Sequence, residues 1–230
     1  MNIIWLGHGA FRIEIAGEVL LIDPWLTANP KFPDARRAEA LAGVTQILLT
    51  HGHGDHASEV EEVSKETGAP IHAIHELASW LAARGAAAKG FGCGGTVTFG
   101  EVAVTMVPAS HSSSIDWLDG GPFPAGDPVG FIIKGEGHVI YASGDTGLMA
   151  DMGWIGAYHK PDIGILSCGG HYTMDMAQAA WAAETWFDFR HIIPGHYATM
   201  PVFAQDAHAL AAALPGVTVH EPQVMEPVTI

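Results

Sequence analysis

Hydrophobic and polar residues alternate along the first part of the chain, in short runs that glycines separate. The clearest runs are residues 2–6, 11–15 and 19–22. A period of two with β-branched residues between glycines is typical of β-hairpins. Residues 44–50 are mostly apolar, which predicts a strand that is buried on both faces.

Strand and helix patterns then alternate to the end of the chain. Predicted strands lie at residues 69–74, 162–166 and 191–193, with hairpins at 97–107 and 129–142 that turn near Gly100 and Gly135. Residues 27–43 predict a loop and a short helix. Ser58 and Glu61 resemble a capping box, which predicts a helix that begins there and ends near Gly68. Further helices are predicted at residues 76–84, 176–186 and 203–214.

This order of elements predicts the fold class. Runs of strands followed by strand–helix units occur twice, so we expect two mixed sheets packed face to face and flanked by helices. The prediction is an α+β protein with a four-layer αββα sandwich. No repeat, linker or low-complexity tract interrupts the 230 residues, which predicts a single domain over residues 1–230.

Composition narrows the class of protein. Hydrophobic residues make up 48%, charged residues 15%, and the mean hydropathy is +0.20, as expected of a well-buried globular chain. No apolar stretch is long enough to span a membrane, and no signal peptide is visible, so we expect no membrane partner. Only two cysteines occur, which favours the reducing cytoplasm.

The charge argues against one class of partner. The formal net charge is −15, from 25 acidic and 10 basic residues. Such a surface repels phosphate backbones, so we expect no nucleic-acid partner and a small-molecule substrate instead. A homo-oligomer is compatible with the sequence, but nothing in it sets the oligomeric state.

The segment at residues 50–56 reads Thr-His-Gly-His-Gly-Asp-His and carries the strongest chemical signal. At the end of an extended strand, His51 and His53 point to the same side. Asp55 and His56 then face a second point, because the glycines let the backbone bend. Imidazole and carboxylate ligands suit Zn or Mn in the first place, and Fe or Ni as alternatives. The competing interpretation is a polar surface loop with three histidines by chance.

One cluster cannot saturate two metal ions, so further ligands are expected at other strand ends. His111, Asp145 and His196 each follow a predicted strand and lie in a turn of small residues. Side chains at such positions can point into a shared cleft. We therefore predict all three as metal ligands.

Together these residues resemble the metallo-β-lactamase superfamily. More narrowly, the motifs at residues 5–11, 22–25, 51–56 and 172–174 resemble uncharacterised bacterial metal-dependent hydrolases related to ascorbate-6-phosphate lactonase. The resemblance implies that His51, His53 and His111 hold one metal ion. It implies that Asp55, His56 and His196 hold the other, that Asp145 bridges them, and that Asp23 orients ligands from behind.

The resemblance also implies a reaction. Two divalent ions about 3.5–4 Å apart lower the pKa of a shared water toward 7, and the resulting hydroxide attacks a carbonyl or phosphoryl centre. We expect a hydrolase acting on a small anionic or lactone- or ester-type metabolite. Alternatives are a small-molecule phosphodiesterase on the same site and a non-catalytic metal-binding protein. An RNA nuclease is disfavoured by the charge, and a diiron oxidoreductase by the missing flavin domain.

Three residues are predicted to take part in catalysis. Asp55 can accept a proton as well as bind metal. His8, between two glycines, can act as a proton donor or substrate contact, or be a hydrogen-bonded structural histidine. His171 follows a predicted strand, which favours a place in the substrate pocket. The long loop at residues 112–128 is also expected to be functional, with Trp117 and Phe123 either closing over substrate or packing on the body.

Overall fold

A computed structural model describes the whole chain, residues 1–230. It contains sixteen strands: β1 (Asn2–Gly7), β2 (Ala10–Ile15), β3 (Glu18–Ile22), β4 (Gln46–Leu48), β5 (Ile71–Ile74), β6 (Ala88–Phe91), β7 (Thr96–Phe99), β8 (Val102–Pro108), β9 (Ser114–Ile115), β10 (Phe123–Pro124), β11 (Val129–Gly135), β12 (His138–Ala142), β13 (Ile163–Ser167), β14 (His191–Gly195), β15 (Thr218–Val219) and β16 (Pro227–Thr229).

Seven α-helices accompany the strands, and a 3-10 turn at Asp34–Arg36 precedes the first of them. They are α1 (Arg37–Leu41), α2 (Gly54–Ala57), α3 (Val60–Thr67), α4 (His75–Ala83), α5 (Asp151–His159), α6 (Met176–Trp186) and α7 (His208–Ala213). None of these helices is long and apolar enough to cross a membrane.

Fourteen strands form two mixed seven-stranded sheets. The first has the order β16-β1-β2-β3-β4-β5-β6 and the second β15-β14-β13-β12-β11-β8-β7. Each sheet is antiparallel in one half and parallel in the other: β3 to β6 run parallel in the first, and β12 to β15 in the second. Strands β9 and β10 make a separate two-stranded ribbon. The predicted α+β sandwich of two mixed sheets flanked by helices is confirmed.

A cluster of 62 buried residues fills the space around the sheets. Strand β13 illustrates why the sequence folds this way, since all five of its residues are buried. Helix α5 and helix α6 pack beside each other, and Gly156 allows the contact. A Cβ there would lie 1.9 Å from the backbone oxygen of Trp186.

Two local predictions are wrong. Ser58 and Glu61 form no capping box, because the Ser58 hydroxyl donates to the Gly54 carbonyl (2.5 Å) at the end of the short helix α2. The predicted helix at residues 203–214 begins only at His208. The Gln205 side-chain amide donates to the carbonyls of Met200 and Phe203 and holds the preceding residues in a turn.

Candidate metal centre

The predicted ligands meet because their strands end at the same place. His51 follows β4, Asp145 follows β12 and His196 follows β14. His8 also comes directly after a strand, β1, and His111 lies three residues beyond β8. The two sheets therefore deliver side chains to one shared cleft.

One group of side chains consists of His51, His53 and His111. One ring nitrogen from each lies within 4.8 Å of the others, as three ligands of one ion require. The Nε2 atom of His51 is 3.0 Å from the Nδ1 atom of His53. His51 is completely buried, whereas His53 and His111 are half-buried and reach the cleft.

A second group consists of Asp55, His56 and His196 together with His8. The Nε2 atom of His8 lies 2.9 Å from Oδ2 of Asp55, and its Nδ1 atom lies 3.1 Å from the Thr199 hydroxyl. The Thr199 hydroxyl also lies 2.9 Å from the carbonyl of Tyr197, which fixes its position beside the His8 ring. With its proton on Nε2, the His8 ring donates a hydrogen bond to the Asp55 carboxylate. His8 was predicted as a catalytic residue and not as a member of a ligand group.

Asp145 lies between the two groups. Its Oδ2 atom is 3.0 Å from Nε2 of His196, 3.3 Å from Nε2 of His56 and 3.8 Å from Nε2 of His111. The carboxylate is almost completely buried. A single carboxylate oxygen is thus within reach of histidines from both groups.

Asp23 and Thr50 orient two histidines from behind. Asp23 accepts the Thr50 hydroxyl (2.6 Å) and the Nδ1–H of His56 (2.8 Å) on the same oxygen, Oδ2. Because its proton is donated to Asp23, the Thr50 hydroxyl accepts from Nδ1 of His51 (2.9 Å). Both imidazoles therefore carry their proton on Nδ1 and present Nε2 to the cleft. This is the position that the resemblance implies for Asp23.

The electrostatics of the cluster favour bound positive charge. Burial alone would lower the pKa of His56, but the carboxylates of Asp145, Asp23 and Asp55 raise it well above its ordinary value. Burial likewise would raise the pKa of Asp145, but His196 and His56 lower it well below its ordinary value. The surroundings thus stabilise anionic carboxylates with cationic charge between them.

Two orphaned atoms test whether metal ions fit. Nε2 of His56 and Oδ1 of Asp145 are buried and have no hydrogen-bond partner, a costly state for polar atoms in a protein interior. Imidazole nitrogen and carboxylate oxygen are the donors that first-row divalent ions prefer. The residues present therefore fit divalent metal ions.

Backbone strain is concentrated at the same place. His8, Asp23 and His196 have φ values of 54°, 45° and 54°, in the left-handed region that non-glycine residues rarely adopt. Each such conformation costs on the order of 1–3 kcal/mol and persists only where the surroundings hold it. Strain of this kind is typical of functional sites.

Comparison with known proteins assigns the family. The family model of the beta-lactamase superfamily domain matches residues 19–221. A UPF0173 metal-dependent hydrolase of Cereibacter sphaeroides is 58% identical over the full length of both chains. The chain belongs to the UPF0173 metal-dependent hydrolases of the metallo-β-lactamase superfamily. A relative from Paracoccus denitrificans is 55% identical, again over both full lengths.

A solved structure agrees with this assignment. Igni18, a metallo hydrolase from the archaeon Ignicoccus hospitalis, superposes with a TM-score of 0.86 and is 31% identical. The match covers 99% of this chain and 97% of that one. The chain is thus a metal-dependent hydrolase with the predicted fold. The narrower resemblance to ascorbate-6-phosphate lactonase stays a prediction.

Two glycines in the turn at residues 51–56, which we call the metal-binding turn after its predicted role, let the loop at residues 112–128 approach the predicted ligands. A Cβ on Gly52 would lie 2.6 Å from the Cβ of Ala125, and one on Gly54 would lie 3.1 Å from that of Trp117. The Trp117 indole donates to the Gly52 carbonyl (3.1 Å) and packs edge-on against Trp80. Trp117 therefore packs on the body of the protein.

The cleft above the candidate metal centre has a volume of about 320 Å³. Its lining residues are His53, Asp55, His111, Ser112, Asp116, Asp145, Tyr172 and His196. No lysine or arginine is among them. Sequence reasoning missed Asp116 and Thr50, since neither lies in a pattern with ligand spacing.

The two remaining histidine predictions have different surroundings. His8 is completely buried behind Asp55 and does not line the cleft. His171 is exposed and is not among the lining residues, although its neighbour Tyr172 is. Cys168 is also completely buried, and burial raises the pKa of its thiol to about 12, so it is unreactive.

Proposed function

We propose that this hydrolase cleaves a small ester or lactone with water at a centre of two divalent metal ions, Zn or Mn. The observation that supports the proposal is the position of Asp145, whose Oδ2 atom lies within 4 Å of histidines from both ligand groups. A carboxylate in that position suits the bridging of two ions.

The proposed ligands divide as the two groups do. His51, His53 and His111 would hold one ion, Asp55, His56 and His196 would hold the other, and Asp145 would contribute to both. When bound, two such ions act as Lewis acids toward a carbonyl oxygen and lower the pKa of water toward 7.

Asp55 is the protein group best placed to move a proton. Burial would raise its pKa, but His56 and His8 lower it below its ordinary value, so the carboxylate is ionised at neutral pH. Its side chain is 31% exposed and lines the cleft, whereas His8 holds it from behind at 2.9 Å. In this proposal His8 orients Asp55, and Asp55 accepts the proton of the attacking water.

The cleft lining bears on the substrate. An anionic metabolite needs a cationic partner, and the cleft offers no lysine or arginine. An anion would have to depend on the metal ions alone. The lining therefore favours the ester or lactone expectation over the anionic one, and a small phosphodiester is the second candidate.

The two free cysteines, Cys93 and Cys168, support the reducing cytoplasm as the location of this activity.

Metal content tests the proposal first. Elemental analysis of protein purified without added metal or chelator is expected to find about two equivalents of Zn or Mn. His51→Ala and Asp145→Ala should lose metal, whereas His208→Ala, at a side chain that is 81% exposed, should not. Loaded protein is then assayed on esters, lactones and phosphodiesters. Well under one equivalent, unchanged in the variants and not restored by added metal, would support a non-catalytic protein instead.

A further inference from the structure

Asp116 stands in the wall of the cleft without being one of the proposed metal ligands. It follows strand β9, and its Oδ1 atom accepts the backbone N–H of Gly54 at 2.8 Å. The next residue, Trp117, is anchored to the Gly52 carbonyl at 3.1 Å. Both contacts fix the position of the Asp116 carboxylate relative to the metal-binding turn.

The charge of Asp116 has no counterpart in the protein. Asp116 is exposed to solvent in the cleft wall, and no lysine or arginine lines the cleft to pair with it. The other two carboxylates of the lining, Asp55 and Asp145, are assigned to the metal ions in the proposed function. Asp116 is therefore the one cleft carboxylate whose charge remains for a ligand to neutralise.

We propose that Asp116 determines substrate specificity by binding a positively charged nitrogen on the part of the substrate that does not react. The proposal rests on the proposed function, in which the metal ions take the carbonyl oxygen of an ester or lactone. A substrate with an ammonium group can then meet the metal ions at one end and Asp116 at the other. A substrate with an anionic group at that end meets a like charge.

A purely structural role for Asp116 makes a different prediction. Its contact with Gly54 satisfies a backbone N–H in the first turn of α2, the helix that carries Asp55 and His56. Asparagine keeps an oxygen that accepts this hydrogen bond but removes the charge. Asp116→Asn therefore separates charge recognition from the support of the helix. Asp119→Asn is the matched control, since Asp119 is exposed in the same loop but does not line the cleft.

The experiment uses three thioacetates of equal size that end in a trimethylammonium, a tert-butyl or a sulfonate group. Methyl ketones of the same shapes, which cannot be hydrolysed, serve as ligands for calorimetry with the zinc-loaded protein. We expect the trimethylammonium ketone to bind roughly two- to fivefold more tightly than the tert-butyl ketone, the range of an exposed ion pair. Asp116→Asn should abolish this preference at unchanged metal content, and Asp119→Asn should keep it.

The outcomes separate the two proposals. Charge-selective binding that depends on Asp116, without turnover of any thioacetate or other ester, supports the role of Asp116 and argues against the proposed hydrolysis. Turnover of the three thioacetates at equal kcat/KM, with no charge preference among the ketones, overturns the role of Asp116 and leaves hydrolysis standing. A preference that survives in Asp116→Asn overturns it as well.

Discussion

The Oδ2 atom of Asp23 lies 2.8 Å from Nδ1 of His56, and both side chains are almost completely buried. The pair connects the first sheet, where β3 ends, to the metal-binding turn. Since the same carboxylate also holds Thr50, it determines the proton positions on two imidazoles, one from each proposed ligand group. The geometry of the centre thus depends on residues that touch no metal ion in the proposal.

The substitution Asp23→Asn tests this dependence. Both the Thr50 hydroxyl and Nδ1 of His56 donate a hydrogen bond to Asp23. The amide N–H of asparagine would face one of these donors instead of accepting from it, so His56 loses its orientation. We expect metal affinity, measured by competition with a chromophoric chelator, to fall about 10- to 100-fold. Asp34→Asn, at an exposed carboxylate, is the control and should bind metal as the wild type does. Equal affinity in the two variants would contradict the role given to Asp23.

The Thr50 hydroxyl is a second test of the same network. Thr50→Val keeps the shape but removes the acceptor for His51 and the donor to Asp23. Leaving such buried groups unpaired costs about 1–3 kcal/mol, so urea unfolding of metal-free protein should show a loss of that size. Thr50→Ser retains the hydroxyl and should recover most of the stability. A serine variant as unstable as the valine variant would show that packing, not the hydrogen bonds, matters.

Gly52 is expected to be intolerant of any side chain. The Cβ of Gly52→Ala would approach that of Ala125 to 2.6 Å, too close for two methyl groups. Overpacking of this kind costs about 1–3 kcal/mol, measurable as a lower unfolding free energy. The double variant Gly52→Ala/Ala125→Gly should recover a large part of the loss. Gly92→Ala, where a Cβ would contact nothing within 4 Å, is the control.

Local patterns were sufficient to predict the fold class and the seven proposed ligands. His51, His111, Asp145 and His196 follow strands that alternating or continuous apolar runs reveal, and strand ends of a sandwich meet in space. The helix at residues 176–186 was predicted with its observed bounds. Features that a single stretch of sequence specifies, such as a helix or a residue at a strand end, could therefore be predicted.

Features that depend on packing between distant parts of the chain could not be predicted from the sequence. Helix α5 contains Gly153 and Gly156, which lower helix propensity, and both are there because Trp186 packs against them. Asp116 lies at the cleft because it contacts Gly54, 62 residues away in the chain. No periodicity or ligand spacing marks either feature. Both become visible only when the elements are packed.

Outside the metal centre, His72 makes stability depend on pH. It is 3% exposed, and its Nε2 atom lies 2.9 Å from Oε1 of Gln46, to which it donates, while Nδ1 is buried without a partner. Burial, with the nearby Lys89, lowers its pKa to about 4. A proton on Nδ1 would be buried and unpaired, so the folded protein keeps this imidazole neutral.

Because the folded pKa lies below the unfolded value of about 6.5, the unfolded chain binds the proton first as pH falls. The contribution of His72 is therefore present above pH 6.5 and is lost between pH 6.5 and 4, by about 2 kcal/mol from pH 7 to pH 5. His72→Gln removes this titration while it keeps an amide donor for Gln46. The free energy of unfolding in urea, measured on metal-free protein, should therefore fall by about 2 kcal/mol less between pH 7 and pH 5 in this variant than in the wild type. The exposed-site control His208→Gln should retain the wild-type slope, and equal slopes in all three proteins would contradict the assignment.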